Sequence, residues 1–276
     1  DAGVVFDGDT KVNSQSYMYF PTGDTSQRGR GRGTFSGGYT PSPSNTNLTS
    51  IDYVQIQSLG NSIDFGDLTQ GRYGGGSGAS STRGLQMGGR VSSTRVNVID
   101  YITFATTSNA IDFGNLIQGA GYIHAAGSNS TRGVLFRSSD GNMEYVTIAT
   151  TGNSVDTGSD STVGRNTFSG FASPTRCFWA GGANPSGGAA IGSIDYLEIS
   201  SLGVPQDFGD LTFTGHNQGA ASNTRGIIFT GGFPGSAKNS IDYITIATTG
   251  NAKDWGDLIA ADDNERSGDQ GATSDC

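Results

Sequence analysis

One sentence-like stretch, SIDYITIATTGNAKDWGDL at residues 240–258, is written again and again along this chain, and it limits the fold more than any other feature. Close copies begin at Ile51 (IDYVQIQSLGNSIDFGDL), Ile99 (IDYITFATTSNAIDFGNL) and Ile194 (IDYLEISSLGVPQDFGDL), and a worn copy begins at Met143 (MEYVTIATTGNSVDTGSD). Their tyrosines, Tyr53, Tyr101, Tyr145, Tyr196 and Tyr243, are spaced by 48, 44, 51 and 47 residues. A period in the forties marks an array of one supersecondary unit, in which each unit buries its apolar face only by stacking on its neighbours.

A second signal precedes each copy. It reads RGTFSGG at Arg32, TRGLQMGG at Thr82, TRGVLFRSS at Thr131, TRCFWAGG at Thr175 and TRGIIFTGG at Thr224. Each is a turn, a short apolar strand and, in most copies, a Gly-Gly turn. The IDY segment is the next strand, T-G-N the next turn, and D-F-G-D-L opens a further strand region. A glycine- and serine-rich stretch then leads back, so each unit supplies three or four strands in a meander. Residues 3–8 (GVVFDG) resemble the T-R-G strand without its Thr-Arg, and residues 17–23 (YMYFPTG) resemble YITIATTG. Residues 3–30 thus read as a truncated first repeat without D-F-G-D-L. Counting it, the chain holds six units of about 46 residues. Residues 1–276 are therefore expected to form one all-β domain, a six-bladed β-propeller. Its ring would be closed by N- and C-terminal segments sharing a blade, because 3–6 supply the strand that should follow Leu258; closure avoids an open edge. A β-helix or stacked solenoid is the alternative, with coils of about half this period.

Glycine is abundant, at 45 of 276 residues, and apolar residues fall in short alternating runs, as tight-turned β structure requires. The net charge of −9 offers no electrostatic route to a phosphate backbone, so no nucleic-acid partner is expected. No apolar run is long enough to cross a bilayer as a helix, and no membrane insertion is expected. The start at Asp1 suits a processed product or a segment of a longer chain. Cys177 and Cys276 occupy matching points of different repeats and are expected to remain unbridged.

In IDYITI, Asp242, Ile244 and Ile246 share one face, and Ile241, Tyr243 and Thr245 share the other. The acid before each tyrosine (Asp52, Asp100, Glu144, Asp195, Asp242) accompanies an arginine in the T-R position (Arg32, Arg83, Arg132, Arg176, Arg225). Both are missing together from the N-terminal unit, where Ser16 stands at the acid position. An Arg–carboxylate pair inside or between blades is the expected arrangement, since the guanidinium fork matches a carboxylate. Phe65, Phe113, Phe208 and Trp255 read as hydrophobic plugs, and Thr157 replaces the aromatic in the worn copy. Their flanking aspartates, Asp64, Asp67, Asp207, Asp210, Asp254 and Asp257, read as turn caps rather than calcium ligands.

Little else suggests chemistry. His124 and His216 belong to different repeats and lack ligand spacing, and Glu144, Glu198 and Glu265 are the only glutamates. There is no nucleophile elbow and no phosphate loop. No catalytic residue, metal or cofactor is expected, and the chain reads as a non-enzyme. Function is then sought in what does not repeat. The basic run RGRGR spans 28–32, and the insertions YTPSPSN at 39–45 and NPSGG at 184–188 lengthen the same inter-strand loop, hence one rim. Tyr39, Trp179 and Asn184 are the candidate rim-binding residues, the aromatics by stacking on sugar rings; core packing is the other reading of Trp179. Asn47-Leu48-Thr49 and Asn129-Ser130-Thr131 match the N-glycosylation pattern.

The order Gly-Gly, tyrosine, aromatic resembles a kelch-type propeller blade. The wording IDYITIATTGNA…DFGDL…TRG…GG more closely resembles repeats in virion structural proteins of marine tailed phages, including cyanophages, over about residues 32–258. That resemblance implies a structural or adhesion role on the particle or an appendage such as a tail fibre. Other virion subunits would be its partners, together with a host-surface glycan, and its location would be virion or extracellular. It brings no catalytic residues. A subunit of a cell-derived extracellular filament or surface protein is the second reading. A kelch-like enzyme of the galactose-oxidase type is the third, and it would need a copper site for which two histidines are a thin supply.

Overall fold

Each IDY copy becomes an inner strand of an antiparallel sheet, the third in the four-stranded sheets, paired on one side with its T-R-G strand and on the other with its D-F-G-D-L strand. The computed structural model describes residues 31–40, 44–56, 59–121, 126–137, 141–160, 164–166, 168–186, 188–231 and 239–258. Blade 1 holds β1 (Arg32–Ser36), a rim hairpin of β2 (Tyr39–Thr40) and β3 (Thr46–Asn47), then β4 (Ser50–Gln55) and β5 (Ile63–Asp67). Blade 2 holds β6 (Gly76–Ala79), β7 (Arg83–Met87), a second rim hairpin of β8 (Arg90–Val91) and β9 (Thr94–Arg95), then β10 (Val98–Thr103) and β11 (Ile111–Asn115). Blade 3 runs β12 (Ala126–Ser128), β13 (Arg132–Phe136), β14 (Asn142–Thr147) and β15 (Val155–Asp160). Blade 4 runs β16 (Ser169–Ala172), β17 (Arg176–Ala180), β18 (Ser193–Glu198) and β19 (Gln206–Asp210). Blade 5 runs β20 (His216–Ala221), β21 (Arg225–Gly231), β22 (Ser240–Thr245) and β23 (Lys253–Asp257).

The architecture is an all-β propeller, without a helix among the described residues. The glycine-rich stretch before each T-R-G is itself the first strand, so D-F-G-D-L forms the fourth. First strands pack on one another in series, β6 on β12, β12 on β16 and β16 on β20. Small residues permit this approach: Ser128 Oγ accepts from the Ala79 N–H at 2.8 Å and donates to the Ala79 carbonyl at 2.9 Å. Five blades are described, not six. The expected truncated repeat and the segment after Leu258 lie outside the described residues; among the described residues blade 1 has three main strands.

The apolar cores lie between blades. In the second strand one face (Leu85, Met87) joins Ile99 and Phe113 and looks forward, onto Leu135, Val146 and Ile148 of blade 3. The same division places Ile51 and Phe65 against Ile102 and Phe104, and Phe178, Tyr196 and Phe208 against Ile228, Ile244 and Ile246. Each plug aromatic meets the tyrosine of its own blade edge-on, as Phe113 does Tyr101 at 6.0 Å. The interface after the worn repeat is filled differently. There Phe136, Phe168 and Trp179 cluster, with ring centroids 4.8 and 5.7 Å apart, and Thr157 sits in the fourth strand where the other blades carry an aromatic.

The third and fourth strands slip register at a bulge beside the acid, between Ile99 and Asp100 in blade 2. Gly114 opposite it has φ 145°, and a Cβ there would lie 2.4 Å from the carbonyl oxygen of Gly152 in blade 3. Glycine is needed twice over, for the backbone conformation and for the approach of the next blade.

Candidate functional site

The repeated charged residues assemble as seams between blades. Each T-R arginine begins a second strand, and the register pairs Arg83 with Thr103 and Leu85 with Tyr101. Directly opposed residues share a face, so the arginine lies on the tyrosine's face, 4.6 Å above the Tyr101 ring. Its Nη1 then reaches forward and donates to the Ile148 carbonyl of blade 3 at 2.8 Å. The same clamp recurs: Arg32 donates to the Phe104 carbonyl, Arg132 to those of Ile199 and Ser200 at 2.8 and 2.6 Å, and Arg176 to that of Ile246 at 2.6 Å. Arg225 stands 5.3 Å over Tyr243, but no carbonyl accepts its guanidinium among the described residues.

The acids occupy the opposite face and point backward, which corrects the expected pairing of Arg83 with Asp100 and of its repeat equivalents. Asp100 accepts from the Thr69 N–H at 3.0 Å and from Thr69 Oγ1 at 2.6 Å, both in the connector leaving blade 1. Asp242 accepts likewise from Thr212 at 2.7 and 2.6 Å. Glu144 accepts from the Ile117 N–H at 2.9 Å and from Ser154 Oγ at 2.5 Å. Three of the acids do pair with arginines, but with arginines the repeat pattern concealed. Arg72 meets Asp100 at 3.0 Å, Arg137 meets Glu144 at 2.9 Å, and Arg165 bonds Asp195. Arg72 and Arg165 follow a glycine in the blade connectors, and Arg137 replaces the first glycine of a Gly-Gly turn. Those positions were the available signal. Among the T-R arginines, Arg176 alone has a carboxylate within bridging distance among the described residues, Glu198 at 2.7 Å.

Burial lowers the pKa of the Arg72 guanidinium, with Asp100 opposing the shift, and lowers that of Arg165, with Asp195 opposing it. Desolvation raises the Asp195 carboxyl above its ordinary value; Arg165 pulls the other way and Asp207 adds to the rise. Cys177 is a free, buried thiol pushed far up by desolvation, so it packs as an inert apolar group. Cys276 lies outside the described residues.

A further seam element was hidden in the T-G-N turn. Asn109, Asn153 and Asn251 each accept, through Oδ1, the backbone N–H of Asp67, Asn115 and Asp210 in the preceding blade, at 3.1, 3.0 and 3.1 Å. Blade 4 has Val204 instead, opposite the worn fourth strand β15. Asp67 is also engaged, accepting from Thr49 Oγ1 at 2.8 Å. Among the described residues no three His, Cys, Asp or Glu side chains are grouped to hold a metal ion.

The candidate rim residues separate. The connections between second and third strands share one rim, and the two short hairpins stand there. Tyr39 is exposed, its ring 5.2 Å from that of Tyr73. Its hydroxyl donates to Asn45 Oδ1 at 2.7 Å, while Tyr73 donates to the Ser92 carbonyl at 2.8 Å. Asn184 is exposed in its loop, where Oδ1 accepts the Ser186 N–H at 2.9 Å. Trp179 is 2% exposed and belongs to the core between blades 3 and 4, so it is no rim residue. The Asn129 side chain holds the turn before β13, accepting from the N–H groups of Thr131 and Arg132 at 2.9 and 2.8 Å. His216 lies on β20, and His124 falls outside the described residues. No family model matches this chain, and no curated protein shows significant similarity to it.

Proposed function

We propose that this chain is a non-enzymatic structural and adhesion module of a phage particle, carried in the manner of a tail fibre, and that its ring closes with a sixth blade. The observation that carries the reading is where the repeated charge goes. Arginine, acid and asparagine are spent on joining blade to blade, as Arg83, Glu144 and Asn153 are at one interface. What differs among blades is the rim, where the hairpin carrying Tyr39 stands beside the hairpin of blade 2. A rigid ring with variable rim loops suits recognition of an extended surface, and a host-surface glycan is the proposed ligand. The resemblance of the repeat wording to virion proteins of marine tailed phages supports the same reading.

Two unmatched faces support the sixth blade. On the backward face of blade 1, Phe35 is 48% exposed, whereas its apolar equivalents Leu135, Trp179 and Ile228 are buried; blade 2 has the half-buried Gln86 there. On the forward face of blade 5, Trp255 is 49% exposed, whereas Phe65, Phe113 and Phe208 are buried. Residues 3–8 and 17–23 carry the strand patterns that would fill this gap. The functional test is a glycan-array and whole-cell binding assay on the purified chain, with EDTA as control. Saturable binding that Tyr39→Ala weakens about tenfold is expected, the loss of one stacking aromatic. Binding indifferent to Tyr39 moves recognition off this rim, and no binding to any cell or glycan contradicts the adhesion role.

A further inference from the structure

The basic residues left over from the seams gather at one point of the rim. Among the eleven described arginines and lysines, the T-R arginines and the acid-bound Arg72, Arg137 and Arg165 lie on seam faces, and Lys253 begins the outer strand of blade 5. The other two, Arg90 and Arg95, stand directly opposite one another in the blade 2 hairpin. Arg90 also forms an antiparallel bridge with Tyr73: its N–H donates to the Tyr73 carbonyl at 2.8 Å, and its carbonyl accepts the Tyr73 N–H at 3.1 Å. Directly opposed residues share a face, so Tyr73, Arg90 and Arg95 form a row about 10 Å long across three adjacent segments. The main-chain groups of Arg90 face Tyr73, which leaves Arg90 and Arg95 as a non-hydrogen-bonded pair, the kind that holds side chains closest. Their stems run over one glycine: a Cβ at Gly121 would lie 2.4 Å from Arg90 Cγ and 3.2 Å from Arg95 Cγ. Tyr39 extends the row on the blade 1 side, its ring 5.2 Å from that of Tyr73.

The repeat also withdraws an acid from this point. The fourth strand ends at the same rim, opposite the start of the third, in Asp67, Asp160, Asp210 and Asp257. Blade 2, which bears the arginine hairpin, has Asn115 there. In a chain of net charge −9, positive charge is thus concentrated beside the exposed Tyr39. We infer that this row is a subsite for an acidic glycan, with a sugar ring on Tyr39 and its carboxylate or sulfate group at Arg90 and Arg95. A guanidinium offers paired donors that fit a planar or tetrahedral oxyanion. Two like charges directly opposed repel, and an anion seated with them turns that cost into attraction for the ligand. The inference rests on the rim-binding reading and assigns the class of glycan that the rim takes.

The test is calorimetric titration of the purified chain with polygalacturonate, which carries carboxylates, with dextran sulfate, which carries sulfate esters, and with neutral dextran. Binding of an acidic polymer and not of neutral dextran is expected, and the polymer that binds identifies the anionic group. Arg95→Gln should weaken that binding at least about tenfold, the loss of charge-assisted hydrogen bonds. Asn115→Asp should weaken it about twofold, the effect of one negative charge added at about a Debye length. Three other blades carry aspartate at the end of an intact D-F-G-D-L strand, so this variant keeps the fold. Binding of neutral glycans alone, weakened by Tyr39→Ala and untouched by Arg95→Gln, overturns the acidic ligand and leaves the rim reading standing. Acidic-glycan binding that ignores Arg95 overturns this row as its site. No binding to any glycan or cell overturns both readings.

Discussion

Arg132 shows what the repeated arginine does. It stands 5.3 Å from the centre of the Tyr145 ring and gives hydrogens to two carbonyls of the next blade. Arg132→Ala should lower the unfolding free energy by about 2 kcal/mol, the scale of a charge-assisted hydrogen bond. In a domain of this size that lowers Tm by about 5 °C in calorimetry, and an unchanged Tm would contradict the clamp. Asp195 carries a different prediction. Its carboxyl is raised by desolvation. Between the ordinary carboxyl value of about 4 and the raised one, the folded chain holds a proton that the unfolded chain has released, so stability falls as pH rises through that window. Asp195→Asn should remove this fall, seen as a difference between the two unfolding-versus-pH curves; parallel curves would refute it. The sequence displayed both partners of the expected pair and the face of the acid, but not the face of the arginine. That depends on cross-strand register, which the intervening turn sets and composition does not reveal.

At the scale of the strand, legibility followed periodicity. The alternation in IDYITI was enough to place β4, β10, β14, β18 and β22, whereas the glycine-rich first strands hid in what reads as linker. GSGA at β6 has almost no side chain to alternate, and it is a strand because its neighbours accept a close backbone. The glycines separate into kinds that substitution should distinguish. Gly114→Ala meets both a positive φ and the Gly152 carbonyl, and should cost about 3 kcal/mol or more. Gly133 sits in β13 with only ordinary contacts around a new Cβ, so Gly133→Ala should change stability by less than about 1 kcal/mol. Urea titration of both variants checks the ranking, and equal losses would refute the tight approach of blades 2 and 3. The worn repeat belongs to this scale too. With Thr157 at the plug position and Val204 at the asparagine position, this seam lacks two elements present in the others, and Phe168 and Trp179 add aromatic bulk to it.

Across the whole molecule, repetition makes stability a sum of similar seams rather than the property of one core. The period gave the propeller; the expected closure rests on the incomplete strand patterns at 3–8 and 17–23, which lie outside the described residues. The candidate site divided along the same line. Tyr39 could be placed on a rim because insertions mark loops, while Trp179, inside an apolar strand, packs as core, the reading its strand position favoured over a rim site. The claim on which the account turns is that the buried charges are seams. It is tested most directly by a double-mutant cycle on Arg72 and Asp100, which meet at 3.0 Å with both side chains fully buried. Unfolding free energies of Arg72→Met, Asp100→Asn and the double variant should show a coupling of about 2–3 kcal/mol, the double costing much less than the sum of the singles. Additive losses would contradict the account.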